Sequence, residues 1–135
     1  LSPQGELVEP RLDRGLVAAL ESAATRSAIP TTVVNELPDG TIVPQELERN
    51  AYFVASEALT NAVKHSKAKA ITVAVALVGG DLSMSVSDDG RGGAIEQAGH
   101  GLAGLEERMR GAGGSLDVTS PVGGPTVVTA RLPLA

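Results

Sequence analysis

Four polar residues in the middle of the chain have the spacing of one helix face. Glu57, Asn61 and His65 are four residues apart, and Lys64 lies three residues after Asn61. On an α-helix these positions fall within a sector of about 100°. The amide oxygen of Asn61 suits Mg²⁺ that is held mainly by phosphates and water. Glu57 can orient or deprotonate a nucleophile, and Lys64 or His65 can offer positive charge or donors to phosphate oxygens. A solvated helix flank has the same spacing, so the pattern alone leaves both interpretations open.

A second candidate group is a carboxylate followed by glycines, in the string Asp88-Asp89-Gly90-Arg91-Gly92. A carboxylate at the end of a strand can accept a hydrogen bond from an exocyclic amine such as that of adenine. Gly90 and Gly92 allow backbone conformations that let a planar ring approach the chain. Asp-Gly is also a common turn dipeptide, so a simple turn is the competing interpretation.

A third group is the string GHGLAG, residues 99–104, at the start of a predicted helix. Free N–H groups and the positive dipole end of a helix form an anion site, although a flexible connection would also contain glycines. The string matches the glycine pattern of dinucleotide-binding folds, and Asp117 follows at a suitable distance. That pattern must directly follow a strand. Residues 91–98 read as a loop, and we therefore reject a dinucleotide site.

The pattern of apolar residues predicts the elements that position these groups. It predicts helices over residues 10–28, 44–66 and 102–110, and strands over residues 31–36, 70–78, 82–87, 115–119 and 126–132. Antiparallel hairpins with inserted helices predict an α/β (α+β) two-layer sandwich, with a mixed, mainly antiparallel sheet covered on one face by helices. We expect residues 70–78 to form a central strand. In the next strand Leu82, Met84 and Val86 should point inward.

The composition restricts the possible functions. The 135 residues fit one domain, and the absence of cysteine excludes disulfides and thiolate chemistry. A net charge of −5 without a long basic stripe disfavours direct nucleic-acid binding. Tyr52 and Phe53 are the only aromatic residues, so we expect a core of Val, Leu, Ile and Ala. No apolar run is long enough to span a membrane, and we expect no membrane contact by this chain.

In combination and order, the three strings resemble the ATP-binding domain shared by histidine kinases, type II topoisomerases and heat-shock chaperone ATPases, which has the Bergerat fold. EALTNAVKH (57–65) resembles the N box of that family, DDGRG (88–92) its first glycine box and GHGLAGLEERM (99–109) its second. The closing strand GPTVVTARLPL also resembles the family's last strand. The amino-acid sequences of these motifs are most similar to those of the nitrate-sensor-like subfamily of bacterial sensor histidine kinases. The resemblance covers nearly the whole chain.

The resemblance implies a role for each motif. Asn61 would hold Mg²⁺ against the phosphates of ATP, with Glu57 as base or orienting residue. Asp88 would bind the adenine amine, and Thr126 would contact the base side through water. The family usually has glycine before that threonine, whereas this chain has Pro125, which lacks a backbone donor. The other expected nucleotide contacts are Lys64, His65, Gly90, Gly92, Gly99, His100, Gly101 and Leu102, part of them in a lid over roughly residues 91–101.

The family reaction moves the γ-phosphoryl group of ATP to a histidine on a separate dimerisation domain, and then to a response regulator. The resemblance implies a regulator with a helix-turn-helix output domain. Residues 1–10 would end the linker from the dimerisation domain, and residues 11–135 would form the ATP-binding domain. His65 and His100 lie inside nucleotide motifs, so we expect neither to accept phosphate and expect no autophosphorylation by this chain alone. We expect this chain to be monomeric, the full-length protein to be a homodimer and the location to be cytoplasmic, with or without a membrane anchor elsewhere.

Two alternative functions remain open. A serine kinase that acts on an anti-sigma-factor antagonist has the same fold and needs no phosphoacceptor helix. A non-catalytic nucleotide-sensing module would signal through its conformation alone. The presence of both Glu57 and Asn61 argues against the second alternative, because an inactive site would not need them.

Overall fold

The computed structural model describes residues 15–90 and 102–134, apart from the side chains of residues 65, 66, 102 and 103. Its elements are α1 (Leu16–Arg26), β1 (Thr31–Asn35), α2 (Gln45–Asn61), a π-helix (Ala62–Ser66), β2 (Ile71–Val78), β3 (Asp81–Asp88), α3 (Leu102–Gly111), β4 (Ser115–Thr119) and β5 (Thr126–Pro133). Every predicted helix and strand has a counterpart, but the first helix, predicted over residues 10–28, begins at Leu16 after the non-helical Gly15 and ends at Arg26. The helix predicted over residues 44–66 has the expected extent, but its winding changes from α to π at Ala62.

The strands form one sheet in the order β1-β2-β3-β5-β4. β1 pairs with β2 in parallel, and the other neighbours are antiparallel. The parallel pair follows from the helix between its strands, because parallel strands need a crossover connection. The prediction of a mixed, mainly antiparallel sheet is confirmed. β2 is an interior strand as expected, but β3 is the middle one.

One face of the sheet and the helices that cover it enclose the core. Leu82, Met84 and Val86 alternate with half-buried serines on β3 and are almost completely buried, as predicted. Leu16 and Leu20 of α1, Ala51, Val54, Ala55 and Ala58 of α2, and Leu105 and Met109 of α3 pack in the same cluster. The core also contains the two methionines, Met84 as predicted and Met109 in addition. None of the described helices has the length and apolarity needed to cross a membrane.

The connection from α3 to β4 requires glycine. The N–H of Gly114 donates to the carbonyl oxygen of Met109 at 2.8 Å, and the N–H of Gly113 donates to that of Arg110 at 3.1 Å, which closes the helix with a Schellman pattern. A Cβ atom on Gly114 would lie 2.1 Å from the backbone oxygen of Arg131 on β5. The end of α3 is therefore packed directly on the sheet.

A buried carboxylate joins the first two helices. The N–H of Leu16 at the start of α1 donates to Oε2 of Glu48 at 3.1 Å, while the N-cap residue Gly15 has no side chain to do so. Burial raises the pKa of the Glu48 carboxyl, and the hydrogen bond from Leu16 partly offsets that rise. Glu48 thus caps α1 from the first turn of α2.

Candidate functional site

The predicted base-binding carboxylate lies on the inward face of the sheet. Asp88 is the last residue of β3, continues the inward row of that strand and is only 6% exposed. Its partners across the sheet are Ile71 at the start of β2 and Thr126 at the start of β5. Because pairing partners lie side by side and alternate residues share a face, these three residues form the last row of the helix-covered face. We call this row, Ile71, Asp88 and Thr126, the sheet end.

A local turn orients the Asp88 carboxylate. Its Oδ1 atom accepts a hydrogen bond from the N–H of Gly90 at 2.8 Å, and both residues are buried. A buried carboxylate is costly unless it is hydrogen-bonded. The Gly90 amide therefore stabilises a polar group that the inward face would otherwise exclude.

A second hydroxyl, missed in the sequence, lies beside Thr126. The Oγ atom of Ser120 is 2.6 Å from Oγ1 of Thr126, and both side chains are buried. Ser120 directly follows β4, and the turn before Pro125 returns the chain to the start of β5. Pro125 does not displace Thr126 from the strand, since Thr126 keeps its pairing with Asp88. In the sequence, only the position of a serine six residues before the threonine indicates this contact, and it does not predict the contact unless the geometry of the turn is known.

The end of the α2 segment is tied to the sheet end by Asp89. Its Oδ1 atom accepts hydrogen bonds from the N–H groups of Lys69 at 2.8 Å and Ala70 at 3.1 Å. These two bonds, that from Lys69 first, lower the pKa of the Asp89 carboxyl. Only four residues, 67–70, lie between Ser66 and Ile71 of the sheet end, so the two residues are at most about 18 Å apart. The π-helix therefore ends near the row that contains Asp88.

The structure modifies the predicted polar face of α2. Glu57 and Asn61 lie on the same side of α2, are half-buried and adjoin the buried residues Ala58 and Ala62. Asn61 is the last α-helical residue. The predicted 100° sector assumed α-helical winding throughout, whereas Lys64 and His65 belong to the π-helix and turn through a smaller angle per residue. The α-helical spacing assumed in that prediction therefore holds between Glu57 and Asn61, whereas Lys64 and His65 follow in the π-helix.

The remaining predicted residues are only partly described. Lys64 is exposed, and of His65 only the backbone is described. Leu102 is the first residue of α3, again without a described side chain. Gly92, Gly99, His100 and Gly101, and the lid predicted over residues 91–101, lie outside the described residues. The structure thus brings together Asp88, Gly90 and Thr126, with Glu57 and Asn61 on the helix that leads to the same end of the sheet.

The oxygen ligands that the proposed site offers suit a metal ion whose other ligands are phosphate oxygens and water. Within residues 15–90 and 102–134, no three His, Cys, Asp or Glu side chains cluster around a metal position. Mg²⁺ keeps several waters and takes few protein ligands when it binds with phosphates, so a single amide such as that of Asn61 suits it. A cavity of about 260 Å³ lies elsewhere, between Gly15, Asn35, Thr41 and Glu48, and is not lined by any predicted site residue.

Comparison with known proteins gives the family of this chain. Residues 46–135 match the family described as histidine kinase-, DNA gyrase B- and HSP90-like ATPases. The chain belongs to this family. The ATPase family predicted from the sequence is thereby confirmed, and the family implies that ATP binds. The chain is similar to a blue-light activated histidine kinase of Erythrobacter litoralis EL346, with a TM-score of 0.65 and 26% identity, over 88% of this chain and 39% of that one.

The curated relatives are longer sensor proteins. The chain is 29% identical to the sensor histidine kinase LiaS of Bacillus subtilis (strain 168) over 126 residues. This alignment covers 91% of this chain and 34% of LiaS. It is 30% identical over 132 residues to the nitrate/nitrite sensor protein NarX of Escherichia coli (strain K12), which covers 95% of this chain and 22% of NarX. The chain thus spans about a third or less of these relatives, and it is an ATPase domain of the histidine-kinase type. Similarity to sensors with different names gives only weak support to the nitrate-sensor subfamily.

Proposed function

We propose that this chain binds Mg²⁺·ATP at the sheet end and supplies its γ-phosphoryl group to a histidine on a separate dimerisation domain of a sensor histidine kinase. The observation that carries the proposal is Asp88, a buried carboxylate in the last inward row of the sheet, paired with Thr126. The helix with Glu57 and Asn61 leads to the same end. The names of the relatives support kinase activity of the full-length protein.

The base half of this site consists of Asp88, Thr126, Gly90 and Ser120. An Asp88 carboxylate accepts hydrogen bonds and cannot donate them, so it attracts the exocyclic amine of adenine and repels the carbonyl oxygen that guanine has at that position. The Thr126 hydroxyl, oriented by Ser120 at 2.6 Å, would contact the base directly or through water. Gly90 would leave room for the ring.

The phosphate half consists of the helix ends. Asn61 would hold Mg²⁺, which neutralises charge on the phosphate oxygens during transfer, and Glu57 one turn earlier would orient the incoming histidine or accept its proton. Lys64 and His65 would add positive charge or donors. The remaining proposed contacts are Gly92, Gly99, His100, Gly101 and Leu102.

In the proposed reaction, a histidine nitrogen attacks the γ-phosphorus with its lone pair. The bond between that phosphorus and the oxygen bridging to the β-phosphate breaks, and ADP leaves. The phosphoryl group then passes to a response regulator, for which we propose a helix-turn-helix output domain. We propose a cytoplasmic, homodimeric full-length kinase, with residues 1–10 as linker, residues 11–135 as the ATP-binding domain and the isolated chain as a monomer.

Calorimetry of this chain with ATP and Mg²⁺ is the first test. We expect saturable binding that weakens when Mg²⁺ is removed, and absence of binding contradicts the proposal. The second test mixes the chain and radiolabelled ATP with a dimerisation domain from its own reading frame or, in a parallel reaction, with an anti-sigma-factor antagonist. Acid-labile phosphohistidine supports the histidine-kinase assignment, and acid-stable phosphoserine supports the serine-kinase alternative. If there is neither phosphoryl transfer nor consumption of ATP, the result supports a nucleotide-sensing module.

A further inference from the structure

Arg108 joins the two helices that lead to the proposed phosphate half. Its guanidinium carbon lies 4.1 Å from the centroid of the Phe53 ring on α2. Its Nε atom donates a hydrogen bond to Oδ1 of Asn50, one turn earlier on the same helix, at 3.0 Å. We call these three residues, Arg108, Phe53 and Asn50, the Arg108 clasp.

The clasp uses features of arginine that lysine lacks. The planar guanidinium stacks on an aromatic ring while its edge donates hydrogen bonds in fixed directions, and Asn50 and Phe53, three residues apart, present both partners on one face of α2. Arg108 is adjacent on α3 to the core residues Leu105 and Met109. The clasp therefore continues the contact between the helices from the core to the surface.

The clasp lies at a distance from the proposed nucleotide contacts. Phe53 is eight residues before Asn61, about 12 Å along α2, and Arg108 is six residues after Leu102, about 9 Å along α3. Arg108 therefore acts on the nucleotide only through the helices. The base half, by contrast, is built on β3, β5 and the β4–β5 turn, and no clasp residue belongs to those segments.

We propose that Arg108 is a positioning residue for the phosphate half of the site. By fixing α3 against α2, the clasp sets the separation between Asn61 and the start of α3, where the phosphates of ATP would bind. This inference rests on the proposed function. It predicts a selective effect: loss of the clasp weakens the binding of phosphates and metal while the binding of the base stays the same.

The test compares Mg²⁺·ATP with adenosine, each measured by competition against a fluorescent ATP analogue on this 135-residue chain. R108A should weaken Mg²⁺·ATP about tenfold, since a cation–π contact and a hydrogen bond are lost together, and leave the affinity for adenosine unchanged. R108K keeps the cation but loses the directional fork, so its affinity for Mg²⁺·ATP should be intermediate. F53L should weaken Mg²⁺·ATP, and adding F53L to R108A should cause little further loss.

The matched control is R110A. It removes the same charge from an exposed position of α3, where the arginine pairs with Glu106 at 3.6 Å. R110A should bind Mg²⁺·ATP like the native chain. Thermal unfolding verifies that each variant is folded, and if R108A is not, R108K and F53L carry the test.

Three results contradict the clasp while native binding persists: unchanged Mg²⁺·ATP affinity in R108A, equal loss of adenosine and Mg²⁺·ATP, or additive losses from F53L and R108A. If the native chain itself does not bind Mg²⁺·ATP, the proposed function fails and the inference fails with it. The native titration therefore separates the two failures.

Discussion

The two halves of the proposed site are positioned by different kinds of contact. In the base half, Asp88 and Thr126 are neighbours in paired strands, so backbone hydrogen bonds fix their spacing. In the phosphate half, Asn61 ends one helix and Leu102 begins another, and side chains such as Arg108 join those helices. Ladder pairing fixes neighbours more firmly than contacts between side chains do. We therefore expect the base half to depend on the integrity of the sheet, and the phosphate half to respond to single side-chain changes.

The largest expected effect comes from disturbing the sheet itself. In G114A the new Cβ would lie 2.1 Å from the backbone oxygen of Arg131 and 2.9 Å from Leu132 Cδ2, so β4 and β5 must shift apart. We expect the free energy of unfolding to fall by about 3 kcal/mol, measured by urea denaturation. G111A is the control, because nothing lies within 4 Å of its new Cβ. Equal stability of the two variants would show that the close approach has no energetic importance.

The next largest effect concerns the base half. D88N replaces an acceptor by a group that can also donate, so the hydrogen bond with the adenine amine loses its charge. We expect adenine nucleotides to bind about tenfold to a hundredfold more weakly, as for loss of a hydrogen bond to a charged group. GTP binding should not weaken. Calorimetry with both nucleotides decides, and an equal loss for both would remove Asp88 from the base pocket.

In the phosphate half, N61D is the corresponding change. A carboxylate there repels phosphate oxygens and alters the metal site, so we expect about tenfold weaker binding of Mg²⁺·ATP and a changed dependence on Mg²⁺ concentration. T60D adds the same charge one residue earlier at an exposed position, and should have little effect. Unchanged affinity of N61D in the presence of magnesium contradicts the assigned role of Asn61.

A smaller effect should follow from removing the hydroxyl beside Thr126. S120A deletes one partner of a buried 2.6 Å contact, and we expect a loss of about 1 kcal/mol in the free energy of unfolding. ATP affinity should also fall by a few-fold, because Thr126 loses the group that orients it. S120T restores the hydroxyl and should restore most of the affinity. If S120A binds ATP like the native chain, Ser120 has only a structural role.

The smallest expected effect concerns the Asp89 bonds between the two halves. Hydrogen bonds from Lys69 and Ala70 hold the pKa of Asp89 below its usual value of 3.8. A lowered folded-state pKa adds stability above the usual pKa, and that stability is lost as the pH falls through the lowered value. D89N should therefore be less stable than the native chain at pH 7, and the difference should shrink as the pH falls through the lowered pKa of Asp89. The control is D117N, a change at an exposed position of β4. If the difference in stability between D89N and the native chain grows as the pH falls, Asp89 does not have this role.

Sequence periodicity was most informative for the strands. The alternation of Leu82, Met84 and Val86 predicted the inward face, and its continuation by two residues places Asp88 on that same face. Because the repeat of a strand is local, it could be read without the tertiary structure. The position of β2 within the sheet could not be predicted in that way. Its apolar residues occupy one buried and one half-buried face, and this pattern resembles that of a strand buried on both faces.

Contacts between distant residues were not predictable. Arg108 and Asn50 are 58 residues apart, and nothing in either local sequence indicates the other. The change to π-helical winding at Ala62 was likewise not predicted, although the length of the helix was right. The motif resemblance supplied the candidate residues of the site, whereas the contacts that position them required the fold.

The last inward row of the sheet has a thermodynamic consequence. Above Val86 and Val128 the row of paired apolar side chains ends in a carboxylate and a hydroxyl, Asp88 and Thr126. A planar base seated on them would add one more layer to the stack of packed side chains. Ligand that binds only the folded chain raises its resistance to unfolding, by about 2.7 kcal/mol at a concentration one hundred times Kd. The melting temperature of this chain should therefore rise with nucleotide concentration and report how much of the site is filled.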